Sequence, residues 1–330
     1  MKIKRNDVEF EIRMYREGDE KDILKLFKIV FNKQMTIKFW KWRFMENPFG
    51  KGIIALAYDG NILASHYAVM PIHLKVCNSV IKAVFSMTTM THPEYRGRGL
   101  FPKLAKLVYE EAKRKKYSLV YGFPNENSYM GFVKKLNWIG FGKIPVYTIK
   151  CDTTPLKKSK AISAISIKEV DSFKDDVDNL WNKVKKYFLI AVPRTKEYLN
   201  WRFVKNPDQR YFIFSMYNSS DIKGYFVLKI YEEKNKKLGH VIDLVVDEYR
   251  YIKDILAFSI DFFKERDVNE ITLWLNEVIA NKIDIEKFGA KKSFMERTYF
   301  GCRVLKDIFY EDTLKDFKNW YITMGDSDVF

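Results

Sequence analysis

A short aromatic block occurs twice in this chain and constrains the fold more than any other feature. Residues 39–48 read FWKWRFMENP and residues 198–207 read YLNWRFVKNP, so both copies share the pattern W-R-F-x-x-N-P. Each half later carries the tripeptide E-Y-R, at Glu94–Arg96 and at Glu248–Arg250, after an apolar strand-like run and before a helix-like run. Related blocks in the same order and at similar spacing predict two copies of one fold.

The length of 330 residues also fits two domains of roughly 150 residues. A linker is expected where Pro155 and a lysine cluster interrupt the periodic pattern. We therefore predict a first domain, a linker, a second domain and a C-terminal tail over residues 1–150, 151–162, 163–304 and 305–330.

The hydrophobic periodicity predicts a mixed α/β plan in each half. Its order is a strand, two helices, three strands, a helix, a strand, a helix and a final strand. In the first half these elements are expected over 7–14, 18–32, 36–45, 52–58, 62–76, 80–91, 99–116, 118–123, 126–136 and 139–149.

Charge and cysteine content limit the class of protein. The formal net charge of +16 suits an anionic ligand, a nucleic acid or a membrane surface, and a solvated basic face is an equally good interpretation. Cys77, Cys151 and Cys302 have no metal-ligand spacing, so neither a zinc site nor a disulfide framework is expected. No run is apolar enough for a signal sequence or a membrane span, which predicts a cytoplasmic protein without a membrane partner.

The segment that carries chemistry is His92–Gly99, which lies between a β-rich run and an amphipathic helix. A glycine-containing turn that opens a helix presents unpaired N–H groups and the positive end of the helix dipole, which suits a pyrophosphate. Gly97 and Gly99 allow close approach of a phosphate to the backbone, and Arg96 and Arg98 add positive charge. We call Arg96–Leu100 the glycine turn.

The glycine turn resembles the acetyl-CoA-binding motif of the GNAT superfamily of N-acetyltransferases, Arg/Gln-x-x-Gly-x-Gly/Ala. Phe101 stands where that motif has Gly or Ala. Phe132–Trp138 is similar to the family's Phe-Tyr-x-Lys-Leu-Gly-Phe. The resemblance implies two GNAT-like domains, each a mixed, mostly antiparallel twisted sheet flanked by helices, in a tandem arrangement.

The same resemblance implies acetyl-CoA as co-substrate and no metal. The strand 84–91 would part from the strand 119–123, and the pantetheine arm would pair with the exposed backbone. Coenzyme contacts are then expected from Met90, Thr91, Arg96, Gly97, Arg98, Gly99, Leu100, Phe101, Asn125 and Ser128. The second half has Arg250-Tyr251-Ile252-Lys253 in place of the turn, which predicts a degenerate copy and one active site per chain.

The catalytic acid and base are less well marked. Many relatives place an acidic tyrosine where this chain has Val133, so Tyr129 and Tyr121 are the nearest substitutes, and packing is the alternative role of either. His92 is the first choice for the base, although it could simply cap the turn. Asn125 and Ser128 could likewise be a helix cap. Asp326 and Asp328 in the tail could approach an amine substrate.

We expect acetyl transfer to a primary amine of a small molecule, an amino sugar or a peptide. A Fem-like aminoacyl-tRNA-dependent transferase is an alternative, since that family resembles a tandem GNAT pair. A non-catalytic basic nucleic-acid-binding or regulatory protein is another, although no nucleic-acid-reading motif is visible, which makes nucleic acid an unlikely partner. The oligomeric state and the acceptor are not specified by the sequence.

Overall fold

The computed structural model describes residues 9–152, 165–233, 236–306, 308 and 310–330. The predicted linker from residue 153 onward, with its lysine cluster, lies outside the described residues, as do the first two residues of the first predicted strand. The strands are β1 Glu11–Met14, β2 Ile53–Asp59, β3 Ile62–Val76, β4 Ser79–Thr91, β5 Leu119–Gly122, β6 Ile139–Lys150, β7 Ile165–Glu169, β8 Ile190–Ala191, β9 Phe212–Asn218, β10 Asp221–Glu233, β11 Lys236–Val246, β12 Glu270–Leu273 and β13 Lys291–Val304. The helices are α1 Glu20–Phe31, α2 Ile37–Phe44, α3 Leu100–Arg114, α4 Glu126–Leu136, α5 Asp175–Val184, α6 Lys196–Leu199, α7 Tyr251–Lys264, α8 Glu277–Ile283 and α9 Glu311–Leu314.

The predicted element order of the first half is confirmed from β1 to β6. β3 has the predicted bounds, and α3 is shorter than predicted by one residue at its start and two at its end. Helix α3 forms because Leu104, Val108 and Ala112 recur along one face and are fully buried there.

The chain divides into two compact units that do not follow the chain in simple order. Unit 1 comprises Met1–His73, Ile81–Gly140 and Phe300–Phe309, and unit 2 comprises Leu74–Val80, Phe141–Tyr299 and Tyr310–Phe330. Each unit therefore takes its last strand from the other half of the chain: unit 1 contains the end of β13, and unit 2 contains nearly all of β6.

In unit 1 the strand order is β1-β2-β3-β4-β5, followed by the end of β13. The pairs β1–β2, β2–β3 and β5–β13 are antiparallel, whereas β4 and β5 are parallel. Helix α3 packs on this sheet, and its apolar face joins a buried cluster with Ala55, Val84 and Val120. Three antiparallel pairs and one parallel pair give the mixed, mostly antiparallel arrangement that the resemblance implied.

Unit 2 repeats the same plan. Its strand order is β6-β12-β11-β10-β9-β7, with β11 and β12 as the parallel pair. The repeated aromatic block begins in the same way in both units, since Thr36 caps α2 and Thr195 caps α6 through their side chains. The copies then differ, because α2 stays α-helical to Phe44 whereas Asn200–Val204 form a π-helical segment after α6. At the end of each block an asparagine side chain accepts an N–H two residues on: Asn47 from Phe49 and Asn206 from Asp208. The block is therefore helical and closed by an asparagine side chain in both copies, with a different helix type in each.

Candidate active site

The glycine turn connects β4 to α3 in unit 1. His92 begins a short 3-10 helix, Pro93–Tyr95, and the chain then passes through Arg96 to the start of α3 at Leu100. Tyr95 and Leu100 are buried and hold the two ends of the turn, whereas Arg96 and Gly97 are exposed and Arg98 and Gly99 are partly exposed. The turn is thus open to a ligand along its middle.

Two glycines give the turn its shape. Gly97 has a φ of 80° and Gly99 a φ of 72°, a left-handed conformation that side chains strongly disfavour. Apart from its two neighbours in the chain, a Cβ built on either glycine would have no atom of the described residues within 4 Å. The backbone there borders open space, so a phosphate could approach it as closely as hydrogen bonding requires.

The backbone N–H groups of the turn are available to a ligand. Among the described residues, no backbone carbonyl accepts a hydrogen bond from the N–H groups of Gly97 to Phe101. The first amide of α3 with a carbonyl partner is Lys103, whose N–H lies 3.4 Å from the carbonyl oxygen of Gly99. A cluster of unpaired donors at a helix N-terminus is a ready anion site. These residues therefore fit a pyrophosphate.

Tyr95 fixes the turn from below. Its hydroxyl donates to Asp59 Oδ2 at 2.7 Å, and its ring lies under the guanidinium of Arg98, 5.4 Å from ring centroid to Cζ. Because Asp59 ends β2, this contact ties the turn to the sheet. Asp59 and Tyr95 were not predicted from the sequence as site residues, although the repeated E-Y-R tripeptide was a signal that pointed to Tyr95.

Below the turn, β4 and β5 part as the resemblance implies. Their parallel pairing runs from Ala83 with Leu119 to Ser86 with Gly122 and ends there, while β4 continues to Thr91. Thr88 has a φ of 53°, which is unusual within a strand. The edge of β4 that faced β5 is therefore unpaired by β5 from Met87 onward.

A buried polar chain holds the place where the strands part. Trp138 Nε1 donates to the Tyr109 hydroxyl at 2.9 Å, which lies 2.9 Å from the Tyr67 hydroxyl, itself 2.8 Å from Ser86 Oγ. These four side chains are 0–6% exposed. They join β3, β4 and α3, and single-sequence reasoning gave no indication of them because the residues are far apart in the chain.

His66 lies beside Thr88, the residue of β4 with a positive φ. Its Nδ1 is 2.8 Å from the carbonyl oxygen of Thr88, so that Nδ1 carries the proton and donates. The ring is fully buried, and burial lowers the pKa of His66 to about 4. A neutral imidazole therefore supports the left-handed residue of β4.

The predicted coenzyme contacts are close to these features. Met90 and Thr91 lie on the unpaired part of β4, where Ser65 Oγ donates to the Met90 carbonyl at 2.9 Å. Phe101 directs its ring onto α4, with the Phe132 ring centroid at 4.9 Å, so the side chain turns away from the glycine turn. None of these positions conflicts with coenzyme binding.

Asn125 and Ser128 form the N-terminal cap of α4. Asn125 Oδ1 accepts the Ser128 N–H at 3.1 Å, and Ser128 Oγ lies 3.1 Å from the same oxygen. The cap leaves Asn125 exposed. Both residues have the alternative role that the sequence allowed, and their contact with a coenzyme stays a prediction.

The three candidate catalytic side chains have different surroundings. Tyr121 is 3% exposed and stacks on Phe85 at 5.2 Å between ring centroids, inside an aromatic cluster. Tyr129 is partly exposed, and its hydroxyl lies over Gly140, only 2.4 Å from where a Cβ of that residue would be. His92 Nδ1 accepts the Glu94 N–H at 3.4 Å as the cap of the 3-10 helix. Their catalytic roles remain predictions, and Tyr129 is the more exposed of the two tyrosines.

The basic run at the end of α3 is partly neutralised within the helix. Lys113 pairs with Glu110 at 2.9 Å, and Arg114 and Lys115 pair with Glu111 at 2.7 and 3.4 Å. Such exposed pairs contribute little to stability, but they reduce the net charge of the helix end. The described ranges contain no group of three or more His, Cys, Asp or Glu side chains that could hold a metal ion.

The corresponding place in unit 2 is closed. Helix α7 begins at Tyr251, directly after Arg250, and Tyr251 and Ile252 are 3% and 1% exposed. The first N–H groups of α7 are satisfied locally, since Tyr251 donates to the Glu248 carbonyl and Ile252 to the Tyr249 carbonyl, at 3.0 and 3.1 Å. Unit 2 therefore offers neither the space nor the donors of the glycine turn.

A family model settles what unit 1 is. The model, described as an acetyltransferase (GNAT) domain, matches residues 11–139. Those residues form a GNAT domain. The resemblance drawn from the glycine turn is thereby confirmed, and the GNAT domain makes the chain an acyltransferase.

Solved structures show the same tandem GNAT fold over both halves. A GCN5-related N-acetyltransferase from Anabaena variabilis is 11% identical with a TM-score of 0.70, covering 90% of this chain and 73% of that chain. A probable N-acyltransferase from Enterococcus faecalis is 15% identical with a TM-score of 0.69 and the same two coverages. A tandem GNAT protein from the clavulanic acid biosynthesis pathway is 12% identical with a TM-score of 0.62, covering 91% and 100%. No curated protein sequence matches the chain.

Two further observations concern membrane-spanning helices and the cysteine thiols. Among the described residues, no helix is long and apolar enough to cross a membrane. Cys77, Cys151 and Cys302 are free thiols, and burial raises the pKa of Cys151 to about 11 and that of Cys302 to about 12. The thiols of Cys151 and Cys302 are therefore poor nucleophiles at neutral pH.

Proposed function

We propose that the chain transfers an acetyl group from acetyl-CoA to a primary amine of a small molecule, an amino sugar or a peptide. The observation that carries this proposal is the glycine turn, where unpaired N–H groups, two left-handed glycines and two arginines border open space. This arrangement matches the size and charge of a pyrophosphate. The confirmed GNAT domain supports the coenzyme, while the acceptor class is our inference.

In this proposal the glycine turn binds the pyrophosphate of the coenzyme, and the parted strands orient its pantetheine arm. The N–H groups of Gly97 to Phe101 and the guanidinium of Arg98 hold the pyrophosphate of the coenzyme. The unpaired edge of β4 from Met87 to Thr91 takes the amides of the pantetheine arm as an added strand would. When bound, acetyl-CoA supplies an activated thioester. Backbone N–H groups near Met90 polarise its carbonyl.

Proton transfers complete the reaction. The neutral amine attacks the thioester carbon, the C–N bond forms, and the C–S bond breaks. The nitrogen loses one proton and the departing sulfur gains one, which requires a base and an acid. We assign the acid to Tyr129, because it is partly exposed in the first turn of α4, whereas Tyr121 is buried in an aromatic cluster. His92 remains the first choice for the base or for holding a water that relays the proton.

The direct test follows release of free thiol from acetyl-CoA while amines of each class are added. We expect turnover with at least one class, and no thiol release with any amine would contradict the proposal. Tyr129→Phe should lower kcat by about a hundredfold with little change in the Kd for acetyl-CoA, since general acids contribute about 10² or more. Tyr121→Phe is the matched control. Normal turnover of the Tyr129 variant would return that residue to a packing role.

A further inference from the structure

Unit 2 has the same parted strands as unit 1. The parallel pairing of β11 and β12 ends with Val241 and Leu273, although β11 continues to Val246. β11 also carries an irregularity at Ile242, because Val227 pairs with Asp243 and Leu228 with Val241. Ile242 and Thr88 both lie eight residues before the arginine of E-Y-R. The irregular residue and the parting strands thus recur together, which defines a groove between the end of β11 and Trp274–Asn276.

In unit 2 this groove is filled by the chain itself. The Tyr321 hydroxyl donates to the carbonyl oxygen of Leu244 on one wall. On the other wall Asn276 Nδ2 donates to the carbonyl oxygens of Lys318 and Trp320, at 2.9 and 3.0 Å. The segment Lys318–Asp326, which we call the tail segment, therefore contacts both walls. It is non-helical from Trp320 to Thr323, between two short 3-10 turns.

The tail segment is held at its far end by charge. Arg194 is 1% exposed and forms ion pairs with Asp243 of β11 and with Asp326 of the tail segment, at 3.0 and 2.7 Å. Thr323 Oγ1 donates to Asp243 at 2.9 Å. A buried cation is stable only when it is paired and hydrogen-bonded. The tail segment thus supplies one of the two carboxylates that balance Arg194.

The tail segment is buried from Trp320 to Asp326. Trp320, Tyr321 and Met324 are 3%, 4% and 1% exposed. Asp326, which the sequence analysis considered for a role beside an amine substrate, is 5% exposed and bound to Arg194. The apolar side chains and this carboxylate are used within unit 2.

We propose that the groove of unit 2 is a peptide-binding site whose ligand is the tail segment of the same chain. The segment lies where unit 1 leaves room for a pantetheine arm, so unit 2 takes a peptide where its sister takes a coenzyme. Tethering gives the segment an effective concentration of the order of millimolar, which a free ligand would have to exceed. The proposal rests on contacts within unit 2 and does not depend on the reaction proposed for unit 1.

Amide hydrogen exchange on the full chain tests this proposal. The amides of Tyr321 and Thr323, which donate to the Ile190 carbonyl and to Asp326, should be protected like those of β11. Tyr321→Phe should raise exchange of these amides by about tenfold, since it leaves a buried carbonyl without its donor. Tyr187→Phe, at an exposed tyrosine, is the matched control and should change nothing.

Each outcome bears on the occupant of the groove. Exchange of the tail segment at the rate of an unstructured peptide in the full chain would overturn the proposal. Saturating acetyl-CoA should protect the glycine turn and leave the tail segment unchanged. Faster exchange of the tail segment on adding acetyl-CoA would assign the groove to the coenzyme and overturn the proposal, whereas failure of the coenzyme to protect the glycine turn would count only against the function of unit 1.

Discussion

The turn after β4 and the turn after β11 start from the same tripeptide and end in opposite chemistry. In unit 1 three residues separate Arg96 from α3, two of them left-handed glycines, and their N–H groups have no backbone acceptor among the described residues. In unit 2 the helix starts immediately after Arg250, and the same N–H groups donate to carbonyls within the turn. The difference shows that ligand binding depends on leaving donors unsatisfied, which the degenerate copy no longer does.

The parted strands are common to both units, whereas the occupant of the space between them differs. Both units keep the parallel pair, the irregular residue and the space beyond it, which are properties of the fold. What occupies that space differs, because unit 2 fills it with the tail segment. The fold thus supplies a groove twice, and local sequence decides its ligand.

The largest effect that tests the comparison of the two units is the pH dependence of the free energy of unfolding. Each unit buries one neutral histidine, and burial lowers the pKa of both His66 and His240 to about 4. A lowered folded-state pKa means that the unfolded chain binds the proton first. The free energy of unfolding therefore has its full value above the unfolded pKa of about 6.5 and decreases as the pH falls towards 4. The decrease amounts to at most about 3 kcal/mol per histidine.

Chemical denaturation at a series of pH values measures this effect. His66→Asn keeps a donor for the Thr88 carbonyl and should flatten the loss of stability between pH 6.5 and 4. His240→Asn should flatten it by a similar amount if the two units are equivalent in this respect. An unchanged pH profile in either variant would show that the units differ there.

The next largest effect is on the affinity for acetyl-CoA, which we expect to depend on the glycine turn of unit 1. Gly99→Val places a β-branched side chain at a φ of 72° and fills the open space over the turn. The Kd for acetyl-CoA should rise by at least about tenfold, or 1.4 kcal/mol, in a calorimetric titration. Gly60→Val is the matched control, since Gly60 has a φ of 56° and open space in the β2–β3 turn of the same unit. Equal losses in both variants would point to a folding defect.

The smallest effect compares two arginines at related turns. Arg98 lies beside the open N–H groups and stacks on Tyr95, whereas Arg250 pairs with Glu248 at 2.9 Å. Arg98→Gln should weaken acetyl-CoA binding by about threefold at low salt, and less at high salt because the charge is partly exposed. Arg250→Gln should leave binding unchanged. A loss in the Arg250 variant would place the coenzyme at unit 2.

The sequence was sufficient for the local structure of the first half. The apolar run of β3 and the helical periodicity of α4 predicted both elements with their observed bounds, because β3 is buried along nearly its whole length and α4 buries Phe132 and Leu136 on one face. The glycine turn was predicted because left-handed backbone and anion binding both require residue types that can be read directly from the chain.

Long-range pairing was beyond reach. Nothing in the sequence of Phe300–Val304 indicates that these residues pair with β5, because the sequence of a β-strand does not specify which other strand it pairs with. The Asp59–Tyr95 and Ser86–Tyr67 contacts were missed for the same reason. Each joins residues that are distant in the chain, and single polar residues in strands usually point to solvent. The acid and base stay predictions, since a catalytic role depends on where a side chain lies relative to the substrate more than on its residue type.

Calorimetric titration of the full chain with acetyl-CoA tests the central claim most directly. One equivalent should bind, the binding should be lost or greatly weakened in Gly99→Val, and it should persist in Arg250→Gln. Two equivalents per chain, binding that survives Gly99→Val, or no binding up to about millimolar ligand would contradict the assignment of the coenzyme to the glycine turn of unit 1 alone.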